Sequence, residues 1–134
     1  MQLLSERLKS VNALTKPATK EQIEYAQKAL NITFSKEYQN FLEEFGVISY
    51  ESNEIFGLGI DNHSYLNLLQ ITPDLKNYAN YPSQAVPLYD IGDGHYYLYD
   101  NLNQKILKFA LPNAGVYEYI DTQLEQFLLD LLFR

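Results

Sequence analysis

An α+β fold is predicted by three features of this 134-residue chain. Apolar residues recur at helical spacing through its first third, β-favouring runs punctuated by turn residues occupy the middle, and a leucine-rich helical stripe closes it. That order predicts a central antiparallel β-sheet of about five or six strands, with N-terminal helices and a C-terminal helix packed on it. No repeat, low-complexity tract or linker composition interrupts the pattern, so residues 1–134 are expected to form a single domain.

Each element has a local reason. Leu3, Leu4, Leu8, Val11 and Leu14 share a helical face, which predicts an amphipathic helix over residues 3–14 that ends before Pro17. Thr19-Lys-Glu-Gln22 has the form of a capping box. A second helix should therefore begin near Lys20, bury Ile23, Ala26, the stem of Gln27 and Leu30, and stop at Asn31. Ser35 is the next cap, and Tyr38, Phe41, Leu42 and Phe45 form a stripe that ends at Gly46, a residue suited to a helix C-terminus. Aromatic residues at this spacing are core far more often than cofactor contacts, and the stripe is assigned to packing.

Val47 to Tyr50 and Ile55 to Ile60 read as a hairpin or a pair of short strands around the polar stretch Glu51 to Glu54. Gly57 and Gly59 lack the lysine and the following helix of a phosphate loop, and mark a bulge or a close backbone approach. Ser64 to Tyr78 reads as helical but broken by Pro73. Ala85 to Ile91, His95 to Tyr99 and Lys105 to Ala110 predict a three-stranded meander with turns at Gly92 to Gly94 and Asn101 to Gln104, and Val116 to Ile120 adds a further strand. Thr122-Gln-Leu-Glu125 repeats the capping-box pattern ahead of a stripe of Leu124, Phe127, Leu128, Leu131 and Leu132.

The formal charge is −7, and its distribution is uneven. From Glu37 to Gln104 there are ten acids against one base, Lys76, whereas the flanks hold seven acids and nine bases. An acidic middle repels phosphate backbones and attracts cationic proteins, so nucleic acid is not an expected partner and a basic protein is. The same charge also serves solubility. The chain has no cysteine, which removes disulfides and thiolate metal sites and fits a reducing compartment. Charges at Glu6, Arg7 and Lys9 interrupt any signal-peptide core, and no run approaches the roughly 20 apolar residues of a membrane span. A cytoplasmic protein without membrane association is expected.

Tyr89 to Asp100 concentrates four tyrosines, three aspartates and a histidine in twelve residues. Asp90, Asp93, His95 and Asp100 offer oxygen and nitrogen ligands, but paired-histidine, cysteine-pair and calcium-loop patterns are absent, and aspartate between glycines serves the turn itself. The chain holds only His63 and His95 and no Gly-x-Ser-x-Gly elbow for a nucleophile. No catalytic residue, metal ligand or cofactor is therefore expected. Eight of the twelve tyrosines lie between Tyr78 and Tyr119. Strand alternation sets Tyr96, Leu98 and Asp100 on one face and His95, Tyr97 and Tyr99 on the other. Tyrosine beside carboxylate favours a protein interface if one face is open, and the same pattern fits a sheet packed on both faces.

The helix Phe34-Ser-Lys-Glu-Tyr-Gln-Asn-Phe-Leu-Glu-Glu-Phe-Gly46 is followed by Ile55-Phe-Gly57, Val86-Pro-Leu88 and Gly92-Asp-Gly-His-Tyr-Tyr-Leu-Tyr-Asp100. In this order, over roughly residues 19–133, the chain resembles the SUKH superfamily, the bacterial relatives of the fungal Smi/Knr cell-wall regulators. Ser35 stands where the family often has Pro, and His95 where an acid commonly follows the glycines. The resemblance implies an α+β fold around a central antiparallel sheet. For a small stand-alone bacterial member it implies an immunity protein that binds and neutralises a cognate toxin, often a nuclease. The acidic middle fits that role independently, because a nuclease carries a basic surface for its substrate. The expected partner-binding residues are Glu51, Glu54, Asp61, Asp90, Asp93, His95, Tyr97, Tyr99 and Asp100, on a monomer or weak dimer. A non-catalytic regulatory or scaffold module using the same face is the alternative, and a small metal-dependent hydrolase centred on Asp90, Asp93 and His95 is the third.

Overall fold

A computed structural model describes all residues from Met1 to Arg134. In chain order the elements are α1 (Gln2–Ser10), β1 (Leu14–Thr15), α2 (Lys20–Leu30), α3 (Lys36–Glu44), β2 (Ile48–Tyr50), β3 (Asn53–Ile55), α4 (Leu68–Lys76), β4 (Ala85–Gly92), β5 (His95–Asp100), β6 (Lys105–Ala110), β7 (Gly115–Ile120) and α5 (Leu124–Leu132). The strands form two antiparallel ladders, β1-β2-β3 and the meander β4-β5-β6-β7. The Phe56 N–H donates to Leu88 O at 3.0 Å and couples the end of β3 to β4. Seven strands thus replace the five or six expected, with the α+β order unchanged.

The locally encoded helix ends form as expected. Thr19 Oγ1 accepts from the Gln22 N–H while Gln22 Oε1 accepts from the Thr19 N–H, a complete capping box. Asn31 closes α2 in the left-handed conformation, φ 55°. Ser35 Oγ accepts from the Tyr38 N–H and starts α3. Gly57 shows why no larger residue fits at the close approach anticipated there: an added Cβ would lie 1.6 Å from Gly46 O. Around it the Gly57 N–H donates to Leu66 O and Gly57 O accepts from the Leu68 N–H, so the Ile55-Phe-Gly element is a backbone crossroads.

Four expectations are corrected. The helix over residues 3–14 stops at Ser10, because Asn12 adopts φ 54° and the Asn12 and Ala13 N–H groups fold back onto Lys9 O and Leu8 O. Leu14 then pairs with Ser49 in β1 and Leu3 is exposed, so neither joins the core. The segment after Ile55 leaves the strand at once instead of running to Ile60. Pro73 lies inside a continuous α4, where burial of Leu68, Thr72 and Leu75 outweighs the one backbone donor that proline lacks. Thr122 does not cap α5: Gln123 is the N-cap and makes no side-chain cap bond.

The core has two parts, set by the pleat of the meander. On one face Val86, Leu88, Tyr99 and Ile106 join Leu4, Tyr38, Phe41, Leu128 and the rest of the helical layer in the main cluster. On the other, Ala85, Leu98, Leu107 and Phe109 pack with Leu75 of α4 and Tyr81. The sheet is therefore covered on both faces at its Asp100 end.

Candidate functional site

The β4–β5 hairpin turns on Asp93 and Gly94, with φ values of 54° and 80°, a two-residue loop in which both central residues need positive φ. Asp90 Oδ1 accepts from the Gly92 N–H at 2.9 Å across the register break that leaves Ile91 unpaired and exposed. His95 opens β5 with its Nδ1 2.8 Å from the Tyr117 hydroxyl and its ring edge-on to that phenol. Tyr97 is half-buried, its ring centroid 4.9 Å from that of Phe127 of α5 in an edge-to-face arrangement, with the Lys108 ammonium 5.6 Å from the ring centre.

The far end of β5 is closed. Tyr99 is fully buried and stacks on Tyr38 with ring centroids 5.4 Å apart. Its hydroxyl donates to Glu37 Oε1 at 2.8 Å, which requires the Ser35 hydroxyl, 2.7 Å away, to donate to the Tyr99 oxygen. Glu37 Oε2 accepts from the Leu124 N–H at 3.4 Å, so the carboxylate that the cap position of α5 lacks comes from α3. Burial, with the Glu37 charge added, holds the Tyr99 phenol well above its ordinary value. Asp100 accepts from the Leu102 N–H and from Asn103 Nδ2, both at 3.0 Å, and shapes the next turn. Tyr99 and Asp100 are thus framework residues and do not line a surface.

The remaining expected residues scatter along the acidic side. Glu51 sits at φ 54° in the β2–β3 turn. Asp61 Oδ1 accepts from the His63 N–H at 2.8 Å. Glu54 Oε2 accepts from the Tyr65 hydroxyl at 2.6 Å, which pushes the phenol's pKa up. Tyr89 of β4 donates to Asn53 Oδ1 at 2.9 Å, so β3 and β4 share this rim. Asp90, Asp93, His95 and Asp100 do not converge, and no group of three His, Cys, Asp or Glu side chains is placed to hold a metal ion.

Sequence reasoning missed the far wall of this rim, Tyr65, Asp74 and Tyr96. The Tyr96 phenol is held up by partial burial first and then by the charges of Asp90, Tyr78 and Asp74, and Tyr96 packs with Ile71 of α4 on the smaller core cluster. A groove of about 250 Å³ lies there, lined by His63, Tyr65, Gln70, Ile71 and Asp74. The helical reading of Ser64 to Tyr78 would put Tyr65 with Leu68 and Leu69, whereas Tyr65 precedes α4 and stands exposed. A second concavity of about 380 Å³ lies between α2 and the chain after β3, walled by Tyr25, Leu58 and Leu69.

The charges on this side are unmatched. The four ion pairs are Met1 amine with Glu44, Lys28 with Glu24, Lys108 with Glu118, and Arg134 with Asp130. None involves an acid between Glu51 and Asp100. Lys76, the one base of the acidic middle, donates to Leu30 O at 2.8 Å instead.

Fold and site together define a small helix-and-meander α+β fold with an unneutralised acidic, tyrosine-bearing rim and no converging metal-ligating set. The family model for SMI1-KNR4 cell-wall proteins, SUKH_5, matches residues 1–133, and the chain belongs to that family. A crystal structure of a protein from Pseudomonas syringae pv. tomato has the same fold, with a TM-score of 0.79, 19% identity and 98% of each chain covered. Comparison with curated proteins gives no match. No helix is long and apolar enough to cross a membrane.

Proposed function

We propose that this protein is a non-catalytic immunity protein, a monomer or weak dimer that binds and neutralises a cognate basic bacterial toxin such as a nuclease. The observation that carries the reading is the absence of any ion pair to the six accessible acids Glu51, Glu54, Asp61, Asp74, Asp90 and Asp93, while four pairs form elsewhere in the chain. Unpaired surface carboxylates raise the rate of encounter with a cationic protein and favour it over nucleic acid. Membership of the SMI1-KNR4 family supports a binding role. Of the expected contacts, Glu51, Glu54, Asp61, Asp90, Asp93, His95 and Tyr97 are partly or fully accessible and form the proposed surface.

The test is co-expression with the neighbouring reading frame, scored for growth rescue and co-purification, followed by binding at rising salt. Rescue with affinity that falls as salt rises is the expected result. Affinity indifferent both to salt and to Asp90→Asn with Asp93→Asn would overturn the electrostatic mechanism. The family's description as cell-wall proteins favours a second reading, a regulatory or scaffold module using the same face. A genomic neighbour that is harmless when expressed alone would point to it.

A further inference from the structure

The groove between the loop carrying His63 and Tyr65 and helix α4 has a built wall. Tyr65 is 66% exposed, yet its hydroxyl is tied to Glu54 at 2.6 Å, so a large aromatic face stands in solvent in a fixed orientation. Gln70 Nε2 donates to Asn62 O at 2.7 Å and holds the opposite side, with Ile71 supplying an apolar wall. Asp74 lines the groove, and Ile71 beside it packs on the same small core cluster as Tyr96 of the adjoining hairpin. Glu54 and Asp74 therefore flank the Tyr65 ring, and no lysine or arginine of this chain forms an ion pair with either.

Resting on the binding-protein reading above, we propose that this groove is where a basic segment of the protein partner docks, and that it receives an arginine side chain. A guanidinium stacks flat on a phenol ring and offers paired N–H donors to a carboxylate, which is the combination Tyr65 and Asp74 present. A lysine ammonium meets the charge but not the planar wall. The sign of the charge excludes a phosphate backbone. The groove, and not the Asp93 tip of the hairpin, becomes the centre of the surface.

The test titrates the full-length protein with tetra-arginine amide and, in parallel, tetra-lysine amide at low ionic strength, followed by amide chemical shifts. Shifts should centre on Tyr65, Ile71 and Asp74 with tetra-arginine and be weaker with tetra-lysine. An ion pair and a cation–π contact at an exposed site together make Tyr65→Ala/Asp74→Asn weaken tetra-arginine binding by about tenfold. Tyr65→Phe keeps the ring and should retain most of the affinity, and Asp93→Asn should change it by less than about twofold. Equal loss from Asp93→Asn, or equal affinity for the two peptides, overturns the proposal. If tetra-arginine occupies the groove but no toxin co-purifies, the groove stands and the immunity reading falls. A toxin that co-purifies undiminished with Tyr65→Ala/Asp74→Asn leaves that reading intact and overturns the groove.

Discussion

Strand β5 joins two unlike regions. From Leu98 to Asp100 both faces are packed: Leu98 and Tyr99 are fully buried on opposite sides, and the Tyr99 hydroxyl sits in a relay from Ser35 to Glu37 to the first turn of α5. From His95 to Tyr97 the helical layer thins, Tyr97 meets Phe127 of α5 edge-on under the Lys108 ammonium, and His95 meets the exposed Tyr117. The same residue types at the same two-residue period are framework at one end and surface at the other. The difference lies in what the helices reach: α3 meets β5 at Tyr99 through Glu37, and α5 extends to Tyr97 only through the Phe127 ring.

The sharpest way to break this comparison is to truncate one tyrosine at each end. Tyr99→Ala should cost about 3–5 kcal/mol, as for other large buried aromatics, while Tyr97→Ala should cost less than about half of that. Urea unfolding measures both. Equal losses would mean that the two ends are one continuous core.

High pH separates the ends by a second route. Tyr38 and Tyr81 are pushed well above the usual 10.0, by burial first, and Tyr99 follows them. Their native values exceed the unfolded ones, so the stability they contribute is complete below about pH 10 and is lost as pH climbs toward the native values. Each of the two deeply buried phenols, Tyr38 and Tyr81, should cost about 1.4 kcal/mol per pH unit in that window. Tyr38 is the cleaner probe, because its buried hydroxyl has no hydrogen-bond partner. Tyr38→Phe should move the alkaline unfolding midpoint to higher pH without loss at neutral pH, whereas Tyr117→Phe and Tyr119→Phe at the exposed edge should leave it in place. A midpoint that shifts as much for the edge variants would refute the division.

The relay gives a smaller effect. Tyr99→Phe should cost about 1–2 kcal/mol, because Glu37 loses a charge-assisted partner, and Glu37→Gln a similar amount. In the double variant the losses should fall short of additive, read as a coupling energy in a double-mutant cycle. Full additivity would show that Ser35, Tyr99 and Glu37 do not act as a unit.

What the sequence made legible follows the same line between local and distant causes. The capping box of α2 and the Ser35 start of α3 depend on residues three apart, and both formed. The Thr122 box failed because the acceptor that α5 uses, Glu37, lies 87 positions away, and Glu125 is instead engaged with the Leu4 N–H 121 positions away. Pro73 reads as a break because proline lacks a backbone donor, and only the burial of Leu68, Thr72 and Leu75 against distant parts of the chain lets α4 continue through it. For the site, alternation placed Tyr99 with His95 and Tyr97 correctly on one face, but no pattern within β5 says where a covering helix ends. Asp74 and Tyr65 stayed hidden because a groove between a loop and a helix is a tertiary object.

The hairpin tip gives the mildest test of the contrast. Asp93 sits at φ 54° and makes no ion pair, so its role in the fold is backbone conformation. Asp93→Asn should leave stability within about 0.5 kcal/mol, since asparagine tolerates the left-handed region equally well, whereas Asp93→Val should cost about 1–2 kcal/mol through Cβ crowding. Thermal unfolding of the two variants decides it. If valine were tolerated, the tip would be free to change conformation, and the geometry of the Asp90 rim beside it would not be held by the turn. If valine is costly, the turn fixes the open end as firmly as the relay fixes the closed one, and the surface is open in packing without being loose in shape.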